Sequence, residues 1–167
     1  GRGSFIESFP LFGFDLADYE LLFNEKLAIF TRGFRGEPVT WNGTHRTPLR
    51  DQRIYPGNEK PAGLVAWMGV GGSPESVIRS VQTGIPMMLA IIGGDPARFL
   101  PYVDLYRRAQ AELGVGPLPL GTHSPGHIAD TDDQAVEELW PHFKAQRDRI
   151  GRDRGWPPVT READEAE

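Results

Sequence analysis

One device, written twice, constrains this chain more than anything else in it. An apolar run at 64–70 stops at Gly71-Gly72 and passes straight into Ser73-Pro74-Glu75-Ser76. A second apolar run at 86–92 stops at Gly93-Gly94 and passes into Asp95-Pro96. Ser or Asp followed by Pro marks a helix start. The side-chain oxygen caps an orphan N–H, and proline takes the first helical position, where no N–H is needed. A third apolar run, at 118–122, completes an alternation of strand, Gly-rich turn and helix. The runs are continuous instead of alternating with polar residues, which suits parallel strands covered on both faces. The pattern predicts an α/β fold with right-handed crossovers.

Helical periodicity fills the spaces between these runs. Over 15–34, Tyr19, Leu22, Phe23, Leu27, Phe30 and Phe34 share a face. A helix over 73–83 carries Val77, Ile78 and Val81 and stops at Gly84. One over 95–113 carries Phe99, Tyr102, Val103, Tyr106 and Leu113 and ends at Gly114. The last, over 131–150, opens with Thr131 and Gln134 in a capping-box pattern, and Pro141 is expected to kink or split it. Val39-Thr40-Trp41, Asn42-Gly43 and Thr44-His45-Arg46 read as a β-hairpin with a two-residue turn. Residues 157–167 are acidic and lack an apolar period, so they read as a poorly ordered tail after one domain over 1–156.

Composition narrows the function. The chain has 167 residues, 39% of them hydrophobic, with a net charge of −5. That charge argues against a nucleic-acid surface, which needs a basic face. The one basic run, Lys144, Arg147, Arg149, Arg152 and Arg154, is interleaved with Asp148 and Asp153 and reads as a solvated helix face. With no cysteine, thiolate metal sites and cysteine nucleophiles are excluded, and a reducing cytoplasm is the expected compartment. No apolar run approaches the roughly 18 residues that span a bilayer, so no membrane role is expected. His123 and His127 are four apart, but Pro125-Gly126 between them forbids the shared helical face of a zinc-binding pair, and no metal site is expected.

The Gly71-Gly72-Ser73 turn carries the chemistry. A strand ending in glycines at a helix start offers bare N–H groups and the positive end of the helix dipole, a natural seat for a phosphate.

These residues, with others, resemble the middle of the bacterial luciferase-like flavin monooxygenase family. The likeness runs through Gly1-Arg2-Gly3-Ser4-Phe5-Ile6-Glu7, Leu11-Phe12-Gly13 and Asp18-Tyr19. It continues through Trp41-Asn42-Gly43-Thr44-His45, the stretch from Val70 to Ser76, Gly84-Ile85-Pro86-Met87, Tyr106-Arg107 and Ile128-Ala129-Asp130-Thr131-Asp132. The resemblance implies part of a (β/α)8 TIM barrel, from the end of the fourth strand to the seventh helix, with the hairpin as an excursion.

It further implies that FMN is held at the carboxyl ends of the strands, its phosphate contacted by Arg2, the turn at Val70, Gly71 and Gly72, and the hydroxyls of Ser73 and Ser76. Reduced FMN from a separate flavin reductase would react with oxygen to oxidise a small organic substrate; no catalytic residue is assigned. A sister branch uses a deazaflavin for hydride transfer, and shortened members hold a flavin without turnover. A homodimer is a further expectation of the resemblance. A sugar-phosphate enzyme could use the same turn, but the paired carboxylates or catalytic lysine it needs are not identifiable.

Magnitudes say the phosphate contacts do not suffice. Charge-assisted bonds contribute about 1.5–3 kcal/mol each, against an association cost of about 4–15 kcal/mol. Apolar contact with the ring is needed as well, and Met68, Met87 and Met88 are the strand residues that could supply it, although core packing is the plainer role for each.

Overall fold

The computed structural model describes residues 6–59 and 64–164. The chain divides into two compact units, Gly1–Ala66 and Trp67–Glu167. Arg2 lies outside the described residues.

The first unit holds α1 (Ser8–Leu11), α2 (Tyr19–Gly33), β1 (Val39–Trp41) and β2 (Leu49–Gln52). A 3-10 turn, Leu16–Asp18, leads into α2, and the Asp15 carboxylate caps it by accepting from the Ala17 N–H at 2.8 Å. Within α2, Leu22 is buried but Phe30 remains about half exposed, so the predicted apolar stripe is closed only in part. β1 and β2 form an antiparallel hairpin, as expected, but not around Asn42-Gly43: the return strand starts at Leu49.

The physical reason is Glu25 on α2. Its carboxylate accepts from the Thr44 N–H (2.7 Å), the Thr44 hydroxyl (2.9 Å) and the His45 N–H (3.3 Å). Donors spent on a carboxylate cannot join a β-ladder. Those bonds, with the Thr44 N–H first, hold the Glu25 carboxyl below the usual carboxylate range. Gly43 is needed there for space, because a Cβ would fall 2.5 Å from both Glu25 Oε2 and Trp41 Nε1.

The second unit is the α/β part. β3 (Met68–Val70), β4 (Met87–Ala90) and β5 (Leu120–His123) form a parallel sheet in the order β3-β4-β5. Between them run α3 (Pro74–Thr83) and α4 (Leu100–Glu112), with α5 (Asp132–Arg154) and α6 (Arg161–Asp164) following β5. α3 forms where its signals predict. Ser73 is the extended N-cap, Pro74 follows it, and Gly84 closes the helix in the left-handed conformation at φ 67°. α4 is shorter than its pattern, because a 3-10 turn, Pro96–Phe99, precedes it.

α3 and α4 cover one side of the sheet. Met68, Val70, Met87 and Leu89 turn toward them and are buried with Val77, Val81, Ile85, Tyr106 and Ala109. Burying each large side chain contributes about 1.5–3 kcal/mol. The Tyr106 hydroxyl accepts from the Met87 N–H (3.2 Å) and donates to the Pro119 carbonyl (3.0 Å), tying the entries of β4 and β5 together.

Two expectations need correction here. The opposite side of the sheet is not buried: Gly69 is exposed, and Met88 and Ala90 are only half-buried. The apolar runs are continuous because their second face is glycine, alanine and methionine, not because helices cover it. Pro141, in turn, does not split α5, which continues for 23 residues. Pro141 is exposed, and water can satisfy the carbonyl one turn earlier that its missing N–H leaves free.

Beyond α5 the chain is tied back as far as Arg161. Lys144 Nζ donates to the Val159 carbonyl (2.8 Å), the Val159 N–H donates to Asp148 (2.9 Å), and Arg161 pairs with Glu137 (2.8 Å). Two of the basic residues, Arg147 and Arg154, lie over the Trp156 ring, within the run's own helix region. Among the described residues no helix is long and apolar enough to cross a membrane.

Candidate functional site

The carboxyl ends of three parallel strands open onto loops at 71–73, 91–95 and 124–131. In parallel α/β sheets, ligands are taken at that end of the strands. The first loop, with Val70 before it on β3 and Ser76 after it in α3, contains every described residue that the sequence singles out for the cofactor.

Val70 ends β3 with its side chain fully buried under the helices, so it anchors the turn and offers a ligand no side chain. Gly71 is exposed, and a Cβ there would meet nothing within 4 Å. Gly72 adopts φ 112°, a conformation L side chains rarely take. Among the described residues nothing accepts from the Gly71 or Gly72 N–H. These two amides, at the positive end of α3, are the open donors of the turn.

The hydroxyls behave differently. Ser73 Oγ accepts from the Ser76 N–H (3.3 Å) and donates to Glu75 Oε2 (2.7 Å). Ser76 is buried at 4% exposure, and its N–H also reaches the Ser73 carbonyl (3.1 Å). The Ser76 main-chain N–H therefore serves the cap. The Ser73 hydroxyl, followed by the residue's own main-chain N–H, holds the Glu75 carboxyl below the usual carboxylate range. Sequence reasoning gave Glu75 only a first-turn helical role; the Ser-x-Glu spacing is the signal that it could turn back onto the cap.

The turn thus suits an anion through main-chain donors, with open space at Gly71 and the Tyr102 ring and hydroxyl 3.6–3.7 Å from where a Gly72 Cβ would stand. Ser73 suits one only if its hydroxyl leaves Glu75. None of these residues lines the recess on α4 formed by Pro101, Asp104, Arg107 and Arg108.

The methionines divide. Met68 and Met87 are core residues, whereas Met88 lies on the open face. His123 ends β5 opposite Ala90 and is exposed. His127 is engaged by Glu138, with Nε2 and Oε2 2.6 Å apart, and Gln134 donates to the other oxygen of that carboxylate at 2.7 Å. That histidine contact is the leading cause holding the Glu138 carboxyl below its ordinary range.

A parallel sheet with helices on one side and Gly-rich turns at its carboxyl end is the architecture of part of a (β/α)8 barrel. The family model for luciferase-like monooxygenases matches residues 1–166, and the chain belongs to that family. Among solved structures it is similar to the monooxygenase RslO1 from Streptomyces bottropensis, with 20% identity and a TM-score of 0.69. The match covers 88% of this chain and 44% of that one, so the chain spans less than half the length of that monooxygenase. At this identity the likeness is one of fold. No curated protein matches the chain.

Proposed function

We propose that this chain forms the portion of a flavin-dependent monooxygenase barrel running from the end of the fourth strand to the seventh helix, and that it seats the phosphate of FMN at the Gly71-Gly72-Ser73 turn. The single observation that carries the reading is the pair of open main-chain amides at the positive end of α3, on the carboxyl side of a parallel sheet. Family membership supports a monooxygenase, and the fold likeness supports the barrel.

Bound reduced flavin supplies the oxygen chemistry in such an enzyme; the protein's work is to bind, orient and exclude water. Gly71 and Gly72 donate main-chain bonds to the phosphate, and the dipole of α3 favours its charge. Ser73 exchanges Glu75 for a phosphate oxygen when the site fills. Ser76 keeps its N–H on Ser73 and so fixes the cap from which that exchange starts. Arg2 remains the proposed guanidinium partner from the resemblance. A separate flavin reductase is the proposed source of reduced cofactor, and the oxidised substrate is a small organic molecule.

The test is an absorbance titration of the protein with FMN and, in parallel, with a deazaflavin. A perturbed flavin band that Ser73→Ala weakens supports the reading, and oxygen-dependent turnover with an added reductase then assigns the enzyme. A preference for the deazaflavin selects the hydride-transfer branch. No perturbation by either ligand overturns the proposal.

A further inference from the structure

The uncovered face of the sheet has a composition of its own. Register pairs Gly69 with Met88, Met88 with Gly121, and Ala90 with His123, so these five residues share one side. The first four make an apolar floor. A Cβ on Gly69 would meet nothing within 4 Å, while one on Gly121 would strike the Met88 thioether at 2.6–2.8 Å and come within 3.3 Å of the Trp67 ring. Met88 therefore lies across Gly121 beside Trp67, filling the space that the glycine leaves. At the carboxyl end of this floor stands one hydrogen-bonding side chain, the His123 imidazole.

His123 is held where it stands by its main chain, because its carbonyl accepts from the Ile91 N–H at 2.8 Å. Its ring is exposed, and among the described residues no polar group bonds it. The neighbouring His127 differs, since its ring is committed to Glu138. β5 lies two strand spacings, about 10 Å, from β3 and its Gly71-Gly72 turn. A cofactor anchored at that turn by its anionic end, with a flat ring reaching across Ala90, brings the ring's polar edge to β5.

We propose that His123 is a cofactor-contacting residue that hydrogen-bonds the polar edge of the flavin ring above the Met88–Ala90–Gly121 floor. The inference rests on the flavin reading given above. An imidazole can donate or accept there, and it can pass a proton between ring and substrate without moving its backbone. In the sequence the residue is the polar end of the third apolar run, two positions past Gly121, a spacing that puts both on one face of a strand.

Two ligands and two variants test this in the full chain. Riboflavin carries the same ring as FMN but no phosphate. His123→Ala is expected to weaken FMN and riboflavin alike, by about three- to tenfold, the effect of one hydrogen bond. Ser73→Ala should weaken FMN only. His123→Gln, which restores a hydrogen-bonding group, should recover part of the loss. In 15N-histidine-labelled protein, the His123 side-chain resonances, assigned by their loss in His123→Gln, should shift on adding FMN, while those of His142, exposed on α5, stay fixed. If FMN binds in a Ser73-dependent way but His123→Ala binds it equally well and the His123 resonances do not move, His123 is overturned and the flavin reading stands. If neither flavin binds the wild-type chain, both fall.

Discussion

The β3–α3 and β4–α4 turns are written alike, Gly-Gly-Ser-Pro and Gly-Gly-Asp-Pro, yet they fold and charge differently. In the first, a neutral hydroxyl caps a regular α-helix, and the nearby carboxylate of Glu75 rests on that hydroxyl and its own N–H, with the charge of Arg79 acting on it as well. In the second, the cap is itself a carboxylate: Asp95 accepts from the Ala97 N–H at 2.8 Å and leads into a 3-10 turn. A carboxylate that is the cap cannot leave without exposing an N–H, so a fixed negative charge stands at the second turn and disfavours an anion there. One that merely rests on the cap can be displaced. The lesson is that the identity of a capping residue decides whether a helix start is available to a ligand.

The largest expected effect on this contrast comes from the glycines. Gly72 at φ 112° lies beyond the left-handed basin, whereas Gly94 at φ 76° lies near it. Gly72→Ala should cost about 1–3 kcal/mol. Gly94→Ala should cost less, about 1–2 kcal/mol. Urea unfolding of the two variants checks the order, and equal losses would mean the turns are strained alike.

Next come the caps. Ser73→Ala and Asp95→Ala should each cost about 1 kcal/mol of stability. Only the first should weaken FMN, which an absorbance titration measures. A comparable loss of FMN affinity in Asp95→Ala would break the distinction between the turns.

The smallest effects concern Glu75. Its folded-state acidity is raised by Ser73, so the stability it contributes is present above its unfolded pKa and is lost as pH falls through the lowered folded value. Ser73→Ala removes the leading cause. The stability gap between wild type and Ser73→Ala should therefore narrow between about pH 5 and pH 3, as read from urea midpoints at each pH. Glu75→Gln should tighten FMN several-fold at low ionic strength, with the gain shrinking as salt is added. Unchanged affinity would show that the carboxylate does not compete for the turn.

What the sequence made legible follows the range of the interactions. α3 was readable in full because Ser73, Pro74 and Gly84 all act within one turn of its ends. The order of three parallel strands was readable because each glycine turn adjoins its own strand. The hairpin's return was misread because Asn42-Gly43 is a strong local turn signal, and the carboxylate that overrides it comes from Glu25, on a helix nineteen positions before Thr44. No local pattern reports such a partner.

The strands were overextended for a related reason. Leu64 and Val65 look like strand residues, yet they are exposed at 57% and 80%, and pairing with β4 begins only at Met68. Within the candidate site, Gly71 and Gly72 were legible as open amides. The engagement of Ser73 by Glu75 was not, since a carboxylate in the first helical turn has several nearby donors to choose from. His123 was visible only as half of an unsuitable metal pair, and its place became clear from strand register.

The Tyr106 bridge sits at the opposite end of the strands from the turns. By clamping the starts of β4 and β5 through one phenol, it puts cohesion and the Gly-rich turns at different heights of the same sheet. Substitutions among the loops then leave that clasp untouched, so one rim can vary in sequence without loosening the other.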